Sequence, residues 1–157
     1  MDMTLATLTP QVGDSMQMLL ARLTMGAYRR SNVQAPGLAS AARTATTQST
    51  DISCIGFGGI IVTVICTVAS GTGGLKVRIR YKDSVSGNYY ALSESSLNIT
   101  AAGGWVYQHA PGTGTTVTAI LGNHGSAAGL LTDTIRIEIV HGDATSYTYS
   151  VNYVLVP

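Results

Sequence analysis

Hydrophobic residues recur at every second position along most of the chain. From Leu75 to Lys82 the alternation is clean: Leu75, Val77, Ile79 and Tyr81 fall on one side, and Lys76, Arg78, Arg80 and Lys82 on the other. That period belongs to a strand with one buried face. Residues 134–141 repeat it with Ile135, Ile137 and Ile139 inward, and residues 146–156 place Tyr147, Tyr149, Val151, Tyr153 and Leu155 on one side. Residues 59–68 are β-branched and nearly continuous, which predicts a central strand buried on both faces. Shorter strands are predicted at 89–92, 97–101, 105–109 and 115–121, with a further one around 44–50. Between them lie turn-forming stretches at 70–74, 83–88, 103–104 and 111–114, the glycine-rich loop 122–129, and Gly142-Asp143. Short strands separated by turns predict an all-β fold, an antiparallel β-sandwich or jelly roll. No repeat of fixed period suggests a propeller or solenoid.

Residues 1–43 follow a different rule and read as an N-terminal arm on a β domain spanning 44–157. Met16, Leu19, Leu20, Leu23 and Ala27 lie at helical spacing, with Asp14 or Ser15 placed to cap the first turn. Arg29 and Arg30 fall near the helix end, where cations offset its dipole. Residues 34–42 are small and contain Pro36-Gly37, which predicts an extended linker. One short helix cannot bury its apolar stripe alone. It must pack on its own domain or dock on a partner, and the sequence leaves both alternatives open.

Composition narrows the classes of function. Charged residues make up 11% of 157 and the formal net charge is +1. Charge-driven disorder and a global basic field for nucleic acid are both excluded. No apolar run reaches the roughly 18 residues of a membrane helix. The first residues also lack the positive region of a secretory signal. Cys54 and Cys66 are read as two buried thiols, with a cross-strand disulfide as the alternative.

Catalytic constellations are scarce. Asp51, Asp83, Glu94, Asp133, Glu138 and Asp143 are not paired by spacing as a hydrolase would need. Asp83 and Asp143 sit beside glycine, where aspartate bonds its own turn. His109, His124 and His141 fall on separate segments and read as turn or surface histidines; no Gly-x-Ser-x-Gly elbow accompanies them. The glycine runs at 71–74 and 112–114 open no helix and lack the Lys-Ser/Thr of a phosphate loop. Metal ligation needs more His or Cys at closer spacing. No catalytic, cofactor or metal residue is therefore assigned. The row Lys76, Arg78, Arg80 and Lys82 is the one local basic feature. It is open to three readings: a phosphate contact, a protein contact, or a charged edge that resists aggregation.

Several phrases in succession carry a resemblance: Gly59-Ile60-Ile61-Val62-Thr63-Val64; Leu75 to Tyr90, with its Lys82-Asp83-Ser84-Val85-Ser86-Gly87; Tyr107-Gln108-His109-Ala110-Pro111-Gly112; and Ile135 to Val151, with His141-Gly142-Asp143 and its tyrosines. Over residues 44–157 this plan resembles a group of small β-sandwich virion structural proteins of tailed bacteriophages. Some of these look like capsid decoration (cement) proteins and others like tail parts. The resemblance implies a non-enzymatic protein, assembled in the host cytoplasm and carried on the virion. It would bind the major capsid protein and neighbouring copies of itself, as a trimer or other symmetric oligomer. No small-molecule substrate, nucleic acid or membrane partner is implied. Contact residues are expected on the arm (Met16, Leu20, Leu23, Arg29, Arg30) and secondarily on the row from Lys76 to Lys82. A tail or head–tail component is the first alternative. A carbohydrate-binding adsorption module, using Trp105, Tyr107 and Asn123, is the second.

Overall fold

The computed structural model describes residues 31–96, 98–112 and 124–157. The chain divides into two units, 1–30 and 31–157, and the second holds all of the described residues. The helix expected over 14–25 lies outside the described residues, as do Met16, Leu20, Leu23, Arg29, Arg30 and the strand expected at 115–121.

Ten strands build the described unit: β1 (Val33–Arg43), β2 (Thr47–Gln48), β3 (Ile52–Ser53), β4 (Gly59–Ala69), β5 (Leu75–Lys82), β6 (Tyr89–Glu94), β7 (Gly103–Ala110), β8 (His124–Ala128), β9 (Thr134–His141) and β10 (Tyr147–Val156). They form two sheets. The first runs β1-β10-β4-β7-β8; the second runs β2-β9-β5-β6, with β3 also paired to β9. The pairings are nested. β1 meets β10, β2 and β3 meet β9, β4 meets β7, and β5 meets β6, all antiparallel. The chain is thus one long ribbon doubled back at the β5–β6 turn, with successive pairs falling in alternate sheets.

The inward residues of both sheets form a single core cluster. Ile60, Val62 and Val64 of β4, with Tyr147, Tyr149 and Val151 of β10, share it with Leu75, Val77 and Ile79 of β5 and Ile135, Ile137 and Ile139 of β9. The all-β, two-sheet arrangement is consistent with a β-sandwich. The alternation of residues 75–82 and 134–141 is realised residue for residue, because each strand faces the core on one side and water on the other. Tyr147 and Tyr149 are fully buried, so the tyrosines of the last strand fill the core as their spacing suggests.

Four expectations need correction. Residues 34–42 are not a linker: they belong to β1, an edge strand paired with β10 through two register shifts around Pro36, Leu38 and Ala41. Small residues and a proline suit such an edge, because proline donates no ladder bond and blunts further pairing. Residues 59–68 are buried on one face only. Ile61 and Thr63 are half-buried and Ile65 is 44% exposed, so the unbroken β-branched run conceals an ordinary alternation. Of the strand expected at 97–101, only an isolated bridge from Ile99 to Leu75 is described. Residues 124–128, read as loop, form β8, which runs parallel to β7 as an added edge. Its small residues carry no alternation that sequence reading can detect.

Candidate functional site

The outer face of the β2-β9-β5-β6 sheet gathers most of the charge on the described strands. Lys76, Arg78, Arg80 and Lys82 line β5, which lies between β9 and β6. The charged-edge reading is therefore corrected, because β5 is an interior strand. Each cation meets a carboxylate supplied by a neighbouring segment. Antiparallel register sets Arg78 opposite Glu94 on one side and Glu138 on the other. Arg78 Nη1 donates to Glu138 Oε2 at 2.8 Å, and its Nε donates to Glu94 Oε2 at 2.6 Å. Arg80 Nη1 reaches Glu138 Oε1 at 3.1 Å, Lys76 approaches Glu94 at 3.5 Å, and Lys82 reaches Asp51 Oδ2 at 3.0 Å.

Glu138 is the centre of this arrangement. It points outward, as its alternation requires, yet is only 3% exposed because Arg78, Arg80 and Gln48 close over it. Burial alone would raise its carboxyl. The bonds from Gln48, Arg78 and Arg80 outweigh that and hold it below the ordinary carboxylate range. A second knot forms at Asp51, in the connection between β2 and β3. Tyr89, Lys82 and Arg136 all donate to it and keep it well below the usual range, and the Arg136 guanidinium lies 3.9 Å from the Tyr89 ring centre. Five cations (Lys76, Arg78, Arg80, Lys82, Arg136) thus face three carboxylates (Asp51, Glu94, Glu138). The face stays modestly positive, with its cations held in place. Asp51, Glu94 and Glu138 are the residues sequence reading missed as part of this site. Charge complementarity to the row was the available signal, but register alone selects which acids meet it.

Beyond the end of β5 lies a groove of about 330 Å³, lined by Tyr81, Lys82, Asp83, Ser84, Thr132, Asp133 and Thr134. Asp83 bonds its own turn through the amides of Val85 and Ser86, as a turn aspartate should.

At the other end of β5, the turn after β9 locks onto the turn before β5. The Asp143 carboxylate accepts from the Gly73 amide at 2.6 Å and from Thr145, while the buried Tyr147 hydroxyl accepts from the Gly74 amide and donates to Asp143. The Thr145 hydroxyl and then the Gly73 amide hold Asp143 down to about 2. A Cβ on Gly73 would stand 2.6 Å from the carbonyl carbon of Gly142, so only glycine fits there. Replacing Gly73 with alanine is expected to cost about 2 kcal/mol, the scale of overpacking against backbone. Urea denaturation of the two proteins checks it, and an unchanged midpoint would mean that the turns are not locked.

His109 and His141 lie on different strands, β7 and β9. His109 is buried rather than superficial, packed beneath Gly129, with burial pushing its imidazole down. His141 Nε2 lies 3.2 Å from the Tyr149 hydroxyl. Among the described residues no cluster of three or more His, Cys, Asp or Glu has the geometry to hold a metal ion. Cys54 and Cys66 are free and buried, and burial pushes the Cys54 thiol up to about 12. Of the residues named for a carbohydrate site, Tyr107 is 1% exposed and serves the core, Trp105 is half-buried against it, and Asn123 lies outside the described residues. No helix among the described residues is long and apolar enough to cross a membrane. Compared with models of known families and with curated proteins, the chain matches none.

Proposed function

We propose that this chain is a non-enzymatic structural protein of a tailed-phage virion, a decoration or cement protein that binds the outer capsid surface and stabilises the shell. The observation that carries the reading is the nested strand pairing. A doubled ribbon whose successive pairs alternate between two sheets follows the path of a jelly roll, an architecture used for viral capsid and lectin domains. The ion-paired face supports the same reading, since its cations are tied to carboxylates rather than poised for chemistry. On this proposal the segment before β1, with the helix expected over 14–25, supplies the main contact through Met16, Leu20, Leu23, Arg29 and Arg30. It docks on the major capsid protein or on a neighbouring copy in a symmetric homo-oligomer. The modestly positive row from Lys76 to Lys82 adds a secondary contact.

The test is a pelleting assay with capsids stripped of this protein. A truncation starting at Ala45 would remove β1 and bare β10, so the arm is altered by substitution in the full chain. Wild-type protein is expected to bind saturably, and Leu20→Asp/Leu23→Asp to lose at least tenfold in affinity, the equivalent of about 1.4 kcal/mol. Equal binding by both proteins would remove the arm from the reading. Binding to tails but not to capsids would replace it with the tail or head–tail alternative. The groove lined by Tyr81, Asp83, Asp133 and three hydroxyl residues favours one further reading, glycan adsorption. Retention of the protein on a host-glycan array, without capsid binding, would establish that reading instead.

A further inference from the structure

The two outer faces of this fold are chemically opposite. The ion-paired cations and carboxylates crowd the face of the β2-β9-β5-β6 sheet. Across all five strands of the other sheet, the only Asp, Glu, Lys or Arg among the described residues is Arg43. Arg43 lies at the rim, at the end of the edge strand β1. Its guanidinium turns onto the Tyr149 ring, 4.6 Å from the centroid, and onto the carbonyls of Ala39 and Tyr149. The rest of the outward surface of the described strands is apolar or neutral.

Register sets out that surface in rows. Asn152, Thr63 and Val106 lie side by side across β10, β4 and β7; Val154, Ile61 and Gln108 form the next row. Ile65 and Val68 extend it along β4, 44% and 50% exposed. The apolar residues therefore concentrate on β4, which is the middle strand of the five. A monomer gains nothing by placing isoleucine at the centre of a solvated face, and apolar surface of this kind marks interaction sites.

We infer that this face is where two copies of the chain pair, sheet against sheet, about a two-fold axis passing near β4. Three observations select a second copy as the occupant. First, a two-fold contact buries the same patch on both copies, and residues close to the axis meet their own symmetry mates. An uncharged face meets itself without repulsion, whereas the opposite face, with five cations to three carboxylates, would repel its copy. Second, among the described residues, covering the strands inside the Arg43 rim strips water from no Asp, Glu, Lys or Arg, so burial of its isoleucines and valines is not offset by charge desolvation there. Third, the size fits. Five strands about 4.8 Å apart, with about nine residues each at about 3.3 Å, span about 700 Å². Two such faces bury about 1,400 Å², within the roughly 1,200–2,000 Å² of a stable interface. The pairing stands apart from the virion reading: it is tested on the purified chain alone, and its failure would leave capsid binding to be decided separately.

Sedimentation equilibrium of the full chain at low and high salt tests it. Wild type is expected at about twice 16.3 kDa, with association not weakened by salt because no charge pairs hold the interface. Ile65→Lys is expected to sediment as a monomer, since one substitution on the central strand brings two cations together. Thr63→Lys provides the same insult on the same strand should Ile65→Lys melt early. Val85→Lys, in the β5–β6 turn at a site 93% exposed, adds the same charge elsewhere and is expected to remain dimeric. A monomeric wild type, a trimer, or folded lysine variants that still pair would each overturn the inference.

Discussion

Replacing Glu138 with alanine is expected to destabilise the fold by about 2–3 kcal/mol, although the residue lies on the outer face of its sheet. Removing one partner of a buried ion pair costs about 3–5 kcal/mol, because the other charge remains desolvated and unpaired. Here two guanidiniums are stranded, and Gln48 loses its acceptor. Arg78 and Arg80 keep 32% and 27% of their side chains exposed, so water relieves part of the penalty and the expected value falls at or below the lower bound of that range. Glu138→Gln keeps the shape but not the charge, and is expected to cost about half as much. The sign of the pH dependence follows from the depressed carboxyl. Its contribution is full above the unfolded value near 4.5 and is lost as pH falls through the lower folded value. Asp143, held at about 2 against 3.8, acts in the same sense further down. Wild type is therefore expected to lose stability steadily below pH 4.5, and Glu138→Gln to show a shallower loss. Urea midpoints from pH 7 to pH 3 provide the measurement. Parallel curves for the two proteins would show that Glu138 does not carry the acid sensitivity.

One residue earlier on the same strand, Ile137→Ala is expected to cost about 3–4 kcal/mol, the range for deleting three buried carbons that leave a cavity. Ile137 is fully buried on β9 of one sheet, and its Cδ1 sits 3.4 Å from where a Cβ would stand on Gly37, in β1 of the other. The cavity would thus open between the sheets, where neither can move in without breaking its own ladder. Domains of this size are stable by about 5–15 kcal/mol, so one such truncation removes a large share. Thermal unfolding checks it: a fall in melting temperature of about 10 °C is expected, at about 2–4 °C per kcal/mol. A fall of only a degree or two would mean that the core between the sheets is loosely packed at this point.

These neighbours also show how far the sequence could be read. That Ile137 faces in and Glu138 out is legible from alternation alone. That Glu138 is nonetheless buried is not, because the cover comes from Arg78 and Arg80 on β5 and from Gln48 some 90 positions away in sequence. The basic row of the candidate site was equally legible as a period-two pattern. Its neutralisation by Asp51, Glu94 and Glu138 was not, since each pair depends on strand register. Sequence reading failed where local signal is weak. β1 and β8 are built from small residues, with no alternation to distinguish strand from linker or loop. In β4 the outward Ile61 and Ile65 mimic the inward Ile60, Val62 and Val64, and only the finished sheet reveals that one set lies at the surface.

By itself, then, the sequence determined the all-β class, the strands with a clean polar–apolar period, the turns marked by glycine and aspartate, and the burial of Tyr147 and Tyr149. All of these follow from preferences acting within a few residues of chain. The tertiary structure decided the nesting of the strands into two sheets, the pairing of every cation on β5, and the division into one charged and one uncharged face. Those depend on which distant segments become neighbours. Hydrogen-bond register and the sharing of a single core settle that, and both are properties of the whole chain rather than of any stretch of it.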